Sequence, residues 1–137
     1  SQDSDDDIRA ILLVGRTRTP GHIHLQMRAE NALPRGQGKL VLNGPAMARS
    51  TAPITAIVEA LKAEGYEASA TSHEDQDEGS ALLYCSLIAL EDRPDALPIG
   101  LMRVPEGLEP EAVARSVRIA CDAIGRTVSP VARDLRG

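Results

Sequence analysis

The sequence predicts an α+β domain: a mainly antiparallel sheet with two or three helices packed on one face, in two layers. Three observations lead there. Residues 38–65 read as strand, sharp break and helix, several other short segments alternate apolar and polar residues, and residues 109–128 carry one apolar stripe at helical spacing. Half-buried strands and single-stripe helices each have one face to hide, and a sheet under a helical layer hides both.

Residues 1–7 hold Asp3, Asp5, Asp6 and Asp7 and read as a disordered acidic tail, leaving 8–137 as one domain. Ile8 to Val14 is the first expected strand. His22 to Met27 is the second, with Ile23, Leu25 and Met27 on one face and His22, His24 and Gln26 on the other. Asn31 to Gln37 contains Pro34 and Gly36 and reads as a loop. Leu40, Val41 and Leu42 then make a third strand, from Lys39 to the break at Asn43-Gly44-Pro45. Short connections favour an antiparallel meander of these three.

The helix after the break is well punctuated. Ser50 or Thr51 can cap it, Pro53 sits in its first turn, Ile54, Ile57, Val58 and Leu61 form its stripe, and Gly65 ends it. Tyr66 to Ser72 alternates as a strand, and His73 to Gly79 is an acidic loop. Ser80 to Leu90 leans to helix on its Leu and Ala content, with Asp77 or Ser80 as cap, although a strand paired with Leu97–Val104 is the alternative. The last helix opens near Glu109 and Glu111. Val113, Val117, Ala120, Cys121, Ile124 and Val128 form its stripe, and Pro130 should kink or end it.

Composition narrows the function classes. The 137 residues include no Phe or Trp, so the core must be built from aliphatic side chains, with Tyr66 and Tyr84 as the only aromatics. Cys85 and Cys121 lie in apolar stretches and read as small core residues, which suits a reducing, cytoplasmic setting. No apolar run reaches the length of about 20 residues that spans a bilayer, and the amino terminus lacks the pattern of a signal peptide. Residues 8–49 carry a charge balance of +6 and residues 50–102 one of −8. Arg16, Arg18, Arg28 and Lys39 therefore become candidate contacts for an anion or for the acidic half of another subunit. With both tyrosines outside the basic third, a base-stacking platform is missing and nucleic acid is not the expected partner.

Two chemistries are conceivable. His22 and His24, two apart on a strand, present both imidazoles on one face, a spacing that metal or small-ligand sites use. Ser80 follows an acidic loop and a glycine at a helix start, where backbone N–H groups can hold an oxyanion; a nucleophile there needs a base.

Around Ser80 the chain resembles a known family. GHIHLQM (21–27), GKLVLNG (38–44), a helix, a strand and DEGSAL (77–82) resemble the proteolytic domain of the ATP-dependent Lon proteases and the related S5-like domains. The resemblance gives Gly38, Lys39, Leu40, Leu42 and Gly44 the strand motif, and Asp77, Ser80 and Ala81 the nucleophile turn. LPIG (97–100) takes the place ahead of the family's catalytic lysine. Here Leu-Met-Arg follows Gly100, Leu82 replaces a glycine, and no lysine occurs beyond Lys62, so the Ser–Lys dyad cannot be assembled. The expected function is accordingly a non-catalytic interaction or assembly module without a cofactor. It would bind a protein partner or self-associate, as a homo-oligomer, through the last helix around Val117. The alternative is a serine peptidase using Ser80 with another base, His73 or Lys62, and the third reading is ligand or metal binding at His22 and His24.

Overall fold

The computed structural model describes residues 8–36, 38–72 and 76–136, the side chains of 129–136 excepted. Six strands and three α-helices are present among them: β1 (Ile11–Thr17), β2 (Ile23–Gln26), β3 (Arg28–Glu30), β4 (Met47–Arg49), α1 (Ile54–Ala63), β5 (Ala68–Thr71), α2 (Glu78–Ala89), β6 (Ile99–Pro105) and α3 (Pro110–Arg136). The α+β class expected from the sequence is the class observed.

The main sheet has the order β1-β6-β2-β5 and is mixed. β1 runs parallel to β6, β2 parallel to β5, and the two halves join where β2 meets β6 antiparallel. A parallel pair needs a long crossover, and α1 supplies it between β2 and β5. β3 and β4 form a separate antiparallel ribbon.

β6 is the central strand, and all seven of its residues are buried. Met102 and Val104 face a cluster with Ile23, Leu25, Ile57, Leu61, Ala120 and Ile124, which is the layer built by α1 and α3. Ile99 and Leu101 face a second cluster with Leu83, Tyr84 and Leu87, so α2 lies against the opposite face. Residues 80–90 are thus helical. Ser80, Leu83, Tyr84 and Leu87, at helical spacing, turn inward.

The third expected strand is absent, and Asn31 is the reason. Its Oδ1 accepts from the backbone N–H groups of Leu40 (2.8 Å) and Val41 (2.9 Å), and its Nδ2 donates to the Val41 carbonyl at 2.7 Å. Backbone groups that a strand would use in a ladder are taken by one side chain, and residues 38–44 form bends and a turn instead. The meander goes with them, since β1 and β2 are separated by β6. Lys39 is exposed on this loop.

Ser50 and Thr51 also differ from expectation. α1 begins at a Pro53 N-cap without a side-chain cap. Ser50 Oγ donates instead to the Ile99 carbonyl (2.7 Å) and Thr51 Oγ1 to that of Leu97 (2.8 Å), tying the segment before α1 to the start of β6. Gly100 permits this approach, because a Cβ there would sit 2.8 Å from that of Ala52. Gly65, with φ +93°, ends α1 as a left-handed residue.

α3 is assigned helical past Pro130 to Arg136. Val113, Val117 and Val128, from the stripe considered for a subunit contact, are partly buried and pack against the cluster beneath α1 and α3. Cys85 and Cys121 are exposed free thiols, not core residues: on α2 the inner face belongs to Leu83, Tyr84 and Leu87. Among the described residues no helix is long and apolar enough to cross a membrane.

Candidate active site

On the face covered by α2, the sheet changes from apolar to polar towards the carboxyl end of β6. Strand alternation puts Gly15 and Thr17 of β1, Arg103 of β6, and His24 and Gln26 of β2 on this face, beyond Ile99 and Leu101. The amino terminus of α2 lies over them and brings Asp77 and Ser80.

Arg103 is the centre of the group and is 1 % exposed. Its Nε donates to Gln26 Oε1 at 2.8 Å. Nη1 donates to the Arg16 carbonyl (2.9 Å) and to Asp77 Oδ2 (2.8 Å), and Nη2 to Asp77 Oδ1 (2.8 Å) and Ser80 Oγ (3.0 Å). All five guanidinium N–H groups therefore have acceptors, the condition under which a buried arginine is tolerated. Gly15 lies beside Arg103 in register, and a Cβ there would meet its Cγ and Nη1 at 3.8 Å, an ordinary van der Waals contact.

Asp77 does double duty. It caps α2 by accepting from the Ser80 N–H at 3.0 Å while holding the guanidinium. The hydrogen bonds from Arg103 are the main reason its pKa falls to about 2; partial burial opposes them, and the Ser80 N–H adds to the lowering.

Ser80 is 1 % exposed, and its Oγ accepts from both Arg103 Nη2 and Gln26 Nε2, the latter at 3.0 Å. These contacts give the hydroxyl an acceptor's role in the floor of the site. Of the two bases considered for it, Lys62 is exposed on α1, across the sheet, and His73 lies outside the described residues.

Above this floor is an open cleft of about 710 Å³, lined by the β1 end from Arg16 to Thr19, by Arg35, by Gln76 to Glu78, and by Arg103 and Glu106. It lies outside the carboxyl ends of the parallel pair β1 and β6, where sheets of this kind commonly hold ligands. Arg16 and Arg18, candidates from charge alone, belong to it. Arg28 and Lys39 do not: Arg28 lies on the β3–β4 ribbon with Nη1 3.8 Å from Met47 Sδ. Arg35 carries φ +74°, an uncommon conformation for a non-glycine residue. His22 and His24 stack edge to face, ring centroids 5.5 Å apart. Among the described residues no group of three His, Cys, Asp or Glu forms a ligand set.

Sequence reasoning missed Arg103, Gln26 and Thr17. One signal was available: an arginine inside IGLMRVP, an otherwise apolar run, has to find buried acceptors.

No protein-family model matches the chain, and no curated protein matches it by sequence. Solved structures do. The pyrrolidone carboxyl peptidase of Thermococcus litoralis superposes with a TM-score of 0.82 at 15% identity, covering 94% of this chain and 71% of that one. This chain has the fold of the pyrrolidone carboxyl peptidases. A mutant of the enzyme from the hyperthermophile Pyrococcus furiosus gives 0.78 at 18% identity, over 93% of this chain and 74% of that one. Pyroglutamyl peptidase I of Bacillus amyloliquefaciens gives 0.75 at 18% identity, over 90% and 69%. The likeness to Lon and S5-like domains is overturned by these matches. Its strand motif, 38–44, is the loop pinned by Asn31. The reading as a non-catalytic interaction module, drawn from the unassembled Ser–Lys dyad, falls with it, because the fold is shared with peptidases over nearly the whole described chain.

Proposed function

We propose that this chain is an amide-hydrolysing enzyme of peptidase type that takes a small, polar acyl amide into the cleft between the end of β1 and the start of α2. The observation that carries this reading is the coincidence of a peptidase fold with a polar cleft at the carboxyl ends of β1 and β6. Fold alone does not fix a reaction, so the substrate class is argued from the cleft. Arg18 and Arg35 offer guanidinium groups with no carboxylate partner among the described residues, and Glu78 and Glu106 offer the opposite sign. Among the described residues no aromatic side chain lines it. Such walls favour a short peptide with charged groups over a bulky apolar one.

Arg103, Gln26, Asp77 and Ser80 serve here as a rigid floor whose mutual hydrogen bonds hold the β1 end and the start of α2 in place. Two exposed thiols fit a reducing compartment, and we place the chain in the cytoplasm on that ground.

The test is release of aminomethylcoumarin from a panel of acyl amides, pyroglutamyl and short acidic or zwitterionic peptides included. Turnover of at least one member, abolished by filling the cleft through Thr19→Trp, is the expected result. A folded protein that cleaves no member between pH 5 and pH 9 would end this reading.

A further inference from the structure

We infer that Thr17 is the nucleophile of this cleft and His24 the base that activates it. The inference rests on the hydrolase reading above and adds the atoms that react. Thr17 ends β1, lines the cleft and is 7 % exposed. Its Oγ1 lies 3.5 Å from His24 Nδ1, across β6 on the same face of the sheet. The contact is long, as catalytic hydrogen bonds commonly are until substrate draws them in.

Further contacts orient the pair. The Thr19 N–H donates to Thr17 Oγ1 at 3.2 Å. That bond leaves the hydroxyl proton for the imidazole and places a donor beside the oxygen that gains negative charge. Both residues project from strands whose register with β6 is fixed, Thr17 opposite Pro105 and His24 opposite Arg103, so their separation is set by the sheet. The competing nucleophiles are placed less well. Ser80 accepts two hydrogen bonds at 1 % exposure, and Cys85 and Cys121 do not line the cleft.

The chemistry balances with water as the only co-reactant. His24 Nδ1 takes the Thr17 proton as Oγ1 bonds to the acyl carbon of the amide. The tetrahedral adduct collapses with cleavage of the C–N bond, and the imidazolium returns its proton to the departing amine. Water then attacks the threonyl ester, losing a proton to His24, and the acid leaves as Thr17 regains its hydrogen.

The experiment treats the full chain with a biotinylated fluorophosphonate and maps the adduct by peptide mass spectrometry, in parallel with the coumarin assay. The expected adduct is on Thr17. It should be lost in Thr17→Val, which keeps the shape without the hydroxyl, and retained in Thr17→Ser. His24→Gln should slow labelling at least a hundredfold, the scale of a general base, with the melting temperature of each variant confirming a folded chain. An adduct on Ser80, undiminished labelling of Thr17→Val, or a folded wild-type chain that takes no label would overturn the inference. Amide turnover that survives Thr17→Val ends the inference and leaves the hydrolase reading standing. Labelling of Thr17 without turnover of any amide does the reverse.

Discussion

Arg103 sets both terminal nitrogens against the carboxylate of Asp77, Nη1 to Oδ2 and Nη2 to Oδ1, each at 2.8 Å. One partner is buried in the central strand and the other is 39 % exposed at the start of a helix, so the pair fastens α2 to the sheet at the edge of the cleft. Fork-on-carboxylate geometry of this kind is directional as well as strong.

Replacing Asp77 by Asn keeps an oxygen for the cap but leaves a buried cation without its anion. The cost at pH 7 should be about 2 kcal/mol, discounted from a fully buried pair because Asp77 is partly solvated. The pH dependence follows from the lowered pKa. Folded Asp77 titrates at about 2 and the unfolded group near 3.8, so the pair's contribution is complete above 3.8 and is lost as pH falls through 2. Urea midpoints of wild type and Asp77→Asn should therefore differ at pH 7 and converge towards pH 2. A constant gap would contradict the pairing.

Asn31→Ala should free residues 38–44. Three short hydrogen bonds between its side chain and the backbone of Leu40 and Val41 disappear, at a cost of about 2–3 kcal/mol. Amide exchange at Leu40 and Val41 is the sharper readout. Both should lose protection while β6 keeps its own.

Tyr84 is fully buried and donates from its hydroxyl to the Pro45 carbonyl at 2.6 Å. Tyr84→Phe leaves that carbonyl without this donor and should cost about 1–2 kcal/mol. Burial, aided by the charges of Cys85 and Glu91, raises the phenol's pKa above 10.0. The unfolded chain then ionises first, and stability that is present below pH 10 drains away as pH rises past it. Tyr84→Phe should flatten this alkaline loss, which thermal melts from pH 8 to 11 would show.

Charge reversal in the cleft separates binding from folding. Arg18→Glu and Arg35→Glu alter exposed side chains and should move stability by less than about 0.5 kcal/mol. For an acidic substrate they should raise KM several-fold with little change in kcat, the signature of binding lost equally from ground and transition states. A KM for acidic substrates unchanged from wild type in both variants would remove these arginines from recognition.

Local pattern was enough for the helices and most strands. The stripes of Ile54–Leu61 and Val113–Val128, the break at Gly65 and the alternation near His22–Met27 depend on residues close in sequence, and they appear in the fold within a few positions. Asp77 as the cap of α2 was legible for the same reason. The strand order was not. Pairing β1 with β6 joins residues almost 90 positions apart, and no short-range signal separates that arrangement from a meander of neighbours. The apparent strand at 39–42 failed because a side chain nine or ten residues earlier satisfied its backbone. Motif similarity to Lon failed alongside it, since short motifs carry no strand order. The site is the furthest from sequence: Thr17, Gln26, His24, Asp77, Ser80 and Arg103 come from four elements and the cap of a helix. What the sequence determined by itself is therefore the class of domain and the faces of its helices, which local periodicity dictates. Only the tertiary structure decided which polar residues meet, because a buried guanidinium finds its five acceptors wherever the sheet brings them.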